Sequence, residues 1–352
     1  MLAVHLTRAG SDPVFALSLA VVAALVYLAV LRLVDLNEKE PVWAMGLMLL
    51  MGAIAAAVLS VFVHARTLNG TVVLASVADE VTIFIALSIG IGLLEAIGKL
   101  RGWSEINGLV DGLLYGAAAG LGFSSGEAFI RELHSSNLFG AALRATPLEK
   151  LWPVLLAGLA AGLFGSLMGA AFGAAIDSPS GLRRLLLPLA GLAVAFGLQV
   201  GYLALVHDNA LAGTQAKWRE WVGLAVPAAF FVVLMLFGLR RERRLLALEL
   251  GNDPYAATPE ELATLTNPAV RRGAYLARLA RLDAHGWLGL RSLQNRQVQL
   301  ALTKRRAERV SDPERRAELQ AEVERLRWAI VAARHHLQLS GPPAAPAAEG
   351  QP

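Results

Sequence analysis

Four ionisable side chains fall inside long apolar stretches of this chain: Glu95, Lys99, Asp111 and Glu127. An ionised group near the centre of a bilayer costs ~2.5 to 3.5 kcal/mol on insertion scales, so each of these positions calls for a reason. Glu95 and Lys99 stand at i and i+4, which puts an acid and a base on one helical face. Such a pair suits proton transfer to a bound substrate, and it equally suits an ion pair snorkelling at a helix end. If the apolar runs on either side of Trp103 turn back on each other, Glu95 lies eight residues before the turn and Asp111 eight after it, each ~12 Å away. That assembles a polar cluster of Glu95, Lys99 and Asp111, with Tyr115 one turn further on as a hydrogen-bonding neighbour. A straight helix carries Glu127 ~36 Å from Trp103, where it pairs naturally with Arg131 at i+4. Bringing it to Glu95 requires a break at Gly116, Gly120 or Gly122, and broken backbone at depth is tolerated only inside protein or along a water-filled cavity.

Metal chemistry finds little support. The histidines, at 5, 64, 134, 207, 285, 335 and 336, are expected in loops, termini or the tail, none of them in an apolar span, and cysteine is absent. A zinc ion at depth would have to be held by carboxylates alone, whereas zinc prefers nitrogen and sulfur. No metal site and no cofactor are therefore assigned; zinc would have to find ligands that the spans lack.

The elements that must position these groups follow from composition. Of 352 residues 55% are hydrophobic and only 17% are charged, and the mean hydropathy is +0.52. That excludes an ordinary soluble enzyme. Seven stretches of about 18 to 25 residues are nearly free of charge, each long enough to cross ~30 Å of hydrocarbon. They lie at about 13–34, 42–63, 80–99, 106–130, 151–176, 185–206 and 222–239. The expected fold is all-α: a polytopic membrane bundle of about seven spans, followed by a helical hairpin domain. Residues 1–238 carry 13 Lys and Arg against 15 Asp and Glu, a balance of −2; residues 239–352 carry 19 against 13, a balance of +6. The Arg240, Arg241, Arg243, Arg244 cluster directly after the last span predicts a cytosolic C-terminus and an outside N-terminus by the positive-inside rule.

Within the spans, Gly108, Gly112, Gly116 and Gly120 in the fourth, and Gly158, Gly162, Gly165, Gly169 and Gly173 in the fifth, recur at helical spacing, as in helices whose backbones pack closely. Past Arg244, Thr258-Pro259-Glu260-Glu261 predicts an N-cap, a first-turn proline and a capping box. Two helices at about 286–310 and 313–339 are expected to pair antiparallel. Leu319, Val323, Leu326, Ile330, Ala333 and Leu337 form a coiled-coil seam along the second. The expected domains are thus 1–238 in the membrane, 239–339 as a basic cytosolic helical domain, and 340–352 as a disordered tail rich in Pro and Ala.

Three segments together resemble the PrsW family of intramembrane proteases. They are Asp35-Leu36-Asn37-Glu38-Lys39-Glu40-Pro41 after the first span, Glu95-Ala96-Ile97-Gly98-Lys99 in the third, and the run from Asp111-Gly112-Leu113-Leu114-Tyr115 to Gly120-Leu121-Gly122-Phe123-Ser124-Ser125-Gly126-Glu127 in the fourth. The likeness covers roughly residues 14–206. The family is similar to CAAX-processing and bacteriocin-immunity membrane proteases, and its bacterial members cleave anti-sigma factors in envelope-stress signalling. The resemblance implies a multi-pass protein of the bacterial cytoplasmic membrane, with Glu95, Lys99 and Glu127 as candidate catalytic residues. Asp111, Tyr115, Phe123 and Gln199 are the candidates to line a polar cavity. Against the family's Glu-Glu-x-x-Lys, the second glutamate here is Ala96. Against Phe-x-x-x-Glu-Asn, the asparagine is Ala128. The positions of two later family histidines correspond to Ala161 and Gln199.

Hydrolysis needs a group to activate water and a donor or metal to stabilise the oxyanion. The departures favour a catalytically degenerate homologue that binds a single-span membrane protein as partner and signals through its tail. The alternative is an active intramembrane endopeptidase. A proton-coupled transporter ranks third: intramembrane carboxylates suit it, but the two halves show no internal repeat. The lipid bilayer is the one certain partner, and the basic tail carries no motif for specific nucleic-acid binding.

Overall fold

A computed structural model describes residues 13–34, 41–65, 72–101, 108–135, 147–176, 178, 180–212, 217–251, 253–281, 283–310 and 313–337. The Trp103 turn, the motif residues 35–40 and the 340–352 tail lie outside the described residues, as do the side chains of Lys99, His64, His134 and His207. All regular structure among the described residues is helical. The helices are α1 (Pro13–Val34), α2 (Val42–Ala65), α3 (Val72–Arg101), α4 (Leu109–Ser135), α5 (Pro147–Ile176), α6 (Gly181–Ala212), α7 (Lys217–Gly251), α8 (Pro259–Thr266), α9 (Pro268–Ala280), α10 (Ala284–Arg309) and α11 (Pro313–His336). His64 and His134, expected in loops, belong instead to the last turns of α2 and α4, and His207 lies in α6, five residues before its end. The chain divides into two compact units, with the boundary between Gly238 and Leu239, inside α7.

In the first unit, six helices, α1, α2, α3, α5, α6 and α7, contain runs long and apolar enough to cross a membrane. The seventh expected span, 106–130, exists as α4 but falls outside that set. It differs in composition. Gly112, Gly116, Gly120, Gly122, Gly126, Ser124 and Ser125, together with Asp111 and Glu127, lower its hydropathy. Helix α4 packs against α1, α2, α3 and α5, and every residue from Val110 to Gly126 is buried. It has no need of lipid-facing side chains because its neighbours supply them. Val21 and Leu25 on α1, Ile85 and Ile89 on α3, and Val233 and Phe237 on α7 are all exposed in the isolated chain, as helices surrounded by hydrocarbon require.

The small residues explain how α4 is held. It runs antiparallel to α5, and the two backbones touch: a Cβ on Gly112 would fall on the carbonyl oxygen of Gly169, one on Gly116 on that of Gly165, and one on Gly120 on that of Ala161. On the other side Gly122 and Gly126 meet the backbone of Leu49 and Ala53 in α2. Lipid gives helices no hydrophobic reason to associate, so close van der Waals contact and backbone proximity replace it. Tyr27 of α1 closes a third side: its hydroxyl donates to the Val154 carbonyl at 2.7 Å. Ser88, Ser125 and Ser166 return their hydroxyls to carbonyls of their own helices, so these polar groups need no external partner.

In the second unit, α7 continues unbroken through the arginine cluster to Gly251. The sequence predicts the end of the last span at 239, but the helix itself does not end there. The residues from Leu239 to Leu250 are Leu, Arg, Glu and Ala, all strong helix formers, and nothing there stops the helix. Leu246 and Leu250 of this extension join Ala256, Ala257, Leu265, Leu293, Leu300, Ala301, Val323 and Ile330 in one core. The Thr258–Glu261 capping box forms as the sequence predicts. Helices α10 and α11 pair antiparallel, with Gly289 against Leu337 and the Arg296 guanidinium donating to the Ala329 carbonyl at 2.7 Å. Two buried charges here, Arg334 and Asp253, are paired. Arg334 donates to Glu261 at 2.5 and 2.9 Å and to the Tyr255 carbonyl at 3.0 Å. Asp253 accepts from Lys304 at 2.5 Å and from Arg327 at 2.9 Å.

Candidate functional site

Two polar regions lie in the bundle, at opposite ends of α3 and α4. At one end Asp111 occupies the first turn of α4, where the partial positive charge of a helix N-terminus favours a carboxylate. Asp111 is buried, Tyr115 one turn on is fully buried, and Phe123 is buried two turns further still. Glu95 is half-buried, six residues before the end of α3. Only six residues of chain separate Arg101 from Gly108, so Glu95 and Asp111 belong to the same end. Lys99 shares this end of α3 by position.

Glu127 belongs to the other end. Helix α4 is continuous across Gly116, Gly120 and Gly122, because those glycines are occupied in contacts with α5 and α2 rather than in a bend. Sixteen residues of helix, ~24 Å, separate Asp111 from Glu127. Glu127 is half-exposed and its carboxylate pairs with Arg131 at 2.6 Å. Its charge and that of Arg131 reach Asp79 on α3, and Asp79 is itself sixteen residues, ~24 Å, from Glu95 along an unbroken helix. By position along the two unbroken helices, Glu127 therefore shares the Asp79 end of α3 and not the Glu95 end.

Beside Asp79, Glu80 is 1% exposed, and neither carboxylate oxygen has a hydrogen-bond partner. In the sequence Glu80 served only as the boundary of the third span. Helix α3 begins eight residues earlier, at Val72, which turns that boundary into a buried interior position. The signal was available: two consecutive acids, Asp79 and Glu80, flanked on both sides by apolar residues. Gln199, on α6, also has a buried side-chain oxygen without a partner. Buried polar groups are nearly always hydrogen-bonded, so an exception in a membrane segment marks a candidate functional position.

The chain's sequence from 40 to 237 matches the model of a family described as PrsW family intramembrane metalloprotease. The match covers more than half of the chain. This chain belongs to the PrsW family. No curated protein and no solved structure matches it. The family's description implies a metal ion, so the donors must be weighed. Among the described residues no three His, Cys, Asp or Glu side chains gather as ligands. The donors described in this PrsW-family chain supply no such ligand set, and no step is routed through a metal. Ala161, at the position that the resemblance gives to a family histidine, lies in the α4–α5 contact against Gly120. That is about two turns along α4 from Glu127.

Proposed function

We propose that this PrsW-family chain has lost ordinary peptide hydrolysis and uses its bundle to bind the membrane helix of a partner protein, with the basic tail relaying that event in the cytosol. The observation that supports this most is the Glu127–Arg131 ion pair at 2.6 Å. A carboxylate neutralised by its own helix, ~24 Å along the bundle from the region of Glu95, is poorly placed to share one water molecule with it. Ala96, Ala128, Ala161 and Gln199 stand where the resemblance implies a glutamate, an asparagine and two histidines. The arginine cluster at 240–244 supports a cytosolic C-terminus in a bacterial inner membrane.

A second reading, an active endopeptidase using Glu95 as base with Lys99 and Glu127, is favoured by the family match itself. Co-expression with a tagged single-span substrate separates the two. Under the binding reading, the wild-type chain leaves the substrate intact and a photo-crosslinker at Ala96, exposed on α3 beside Glu95, captures it. Cleavage by wild type that disappears in Glu95→Ala would establish the protease reading.

A further inference from the structure

Helix α9 is built inside out. Its inward side carries charge: Arg271 is only 4% exposed and donates through Nε to the Gln294 side-chain oxygen at 2.9 Å. Tyr275 donates to the same oxygen. Half-buried Arg278 pairs with Asp283 at 3.1 Å. Its outward side is apolar. Val270, Gly273, Leu276, Ala277 and Ala280 fall at spacings of three, three, one and three, which collects them on one helical face. All five are exposed, Val270 at 49% and Leu276 at 63%. A water-soluble helix presents the opposite arrangement.

We propose that the outward face of α9 lies in the surface of an anionic bilayer, holding the tail against the membrane. Three observations select lipid as the occupant. The six membrane-crossing helices of the same chain tether α9 to a bilayer, so lipid is present at high effective concentration. The tail carries a balance of +6, complementary to an anionic leaflet. The exposed face is formed by Val270 and Leu276 among glycine and alanine, which suits burial ~5 to 10 Å into the headgroup boundary.

The chain has no cysteine, so single-cysteine labelling reads this directly in the full-length protein. Spin labels are placed at Leu276→Cys and Val270→Cys, both exposed, and at Arg325→Cys on α11 as an aqueous control. The protein is reconstituted in vesicles of phosphatidylglycerol and phosphatidylcholine. The expected result is roughly three-fold lower collision with a water-soluble nickel chelate at 276 and 270 than at 325, with oxygen accessibility raised in parallel. Adding Leu276→Glu should return the label at 270 to the control value. Chelate accessibility at 276 equal to that at 325 overturns the proposal. So does spin–spin broadening at 276 that grows with the protein-to-lipid ratio, which would assign the face to a second copy of the chain.

Discussion

Arg334 in the tail and Glu80 in the bundle are both almost wholly buried, at 2% and 1% exposure, and their surroundings are opposites. Arg334 meets a carboxylate, a backbone carbonyl and, through Glu261, the capping box of α8 and the amide of Gln297. Glu80 meets no hydrogen-bond partner at all, in a unit where Ser125, Ser166 and Tyr27 are satisfied. In the tail, polar burial ties helices together. In the bundle, much of that work falls to backbone contact between small residues, and the Glu80 carboxyl ties no helices together through hydrogen bonds. The contrast marks Glu80 as a candidate functional position.

The sharpest test removes the tail's best-paired charge. Arg334→Ala leaves Glu261 half-enclosed without its cation, and loss of one member of a buried pair costs about 3 to 5 kcal/mol. Hydrogen exchange of the tail amides in the full-length protein should report that loss, with the α4–α5 amides unchanged. In the bundle the matching change is Gly116→Ala, which sets a methyl group on the Gly165 carbonyl. Overpacking of this kind costs about 1 to 3 kcal/mol, read as a lowered unfolding temperature in detergent. Gly92→Ala, where a Cβ meets nothing within 4 Å, should be neutral or gain up to about 1 kcal/mol from helix propensity. Equal effects at Gly116 and Gly92 would break the account of how α4 is held.

Glu80→Leu carries the comparison in the other direction. Replacing an unpartnered buried carboxyl by an apolar side chain should raise bundle stability by about 1 to 3 kcal/mol, the reverse of any substitution at Arg334. A drop in stability would show that Glu80 has a structural partner after all. The tail's other buried carboxylate should also respond to pH. Burial pushes the Asp253 carboxyl up, but hydrogen bonds and charge from Lys304 and Arg327 outweigh it and hold the group below its ordinary 3.8. A carboxyl depressed on folding contributes stability fully present above its unfolded value and lost as pH falls through its folded value. Tail amides should therefore lose protection on acidification below about pH 4, and Asp253→Asn should flatten that dependence.

How much of this was legible beforehand depends on range. The capping box at Thr258 spans three residues and the seam from Leu319 to Leu337 repeats every three or four, so local pattern sufficed for both. The glycine series at 108–120 and 158–173 also announced a close pairing, and the structure supplies the register. The Glu261–Arg334 pair joins residues 73 apart, beyond any local periodicity. The continuation of α7 was hidden because a charge cluster marks the end of a span but not of a helix. Glu80 was hidden because a hydropathy boundary places the first charge at the edge, whereas α3 has two further turns before it. At the candidate site, the i+4 pairing of Glu127 with Arg131 was readable from spacing. Whether α4 bends was not, since a glycine favours a kink and a close contact alike, and only the neighbouring helices decide between them.

The smallest effect is the most useful for function. The Glu127–Arg131 pair is solvent-exposed on both sides, at 47% and 64%, and exposed i,i+4 pairs contribute about 0.3 to 0.5 kcal/mol. Glu127→Gln should therefore leave the unfolding temperature almost unmoved, unlike Arg334→Ala or Gly116→Ala. That near-neutrality separates chemistry from folding: a large change in substrate cleavage or partner capture in Glu127→Gln cannot come from loss of structure. If capture persists and no cleavage is present to lose, Glu127 is a surface ion pair in a binding protein. If cleavage is present and falls with Glu127→Gln as steeply as with Glu95→Ala, the two carboxylates act together in spite of their positions on unbroken helices. The bundle must then rearrange to bring the Glu95 and Asp79 ends of α3 to one substrate.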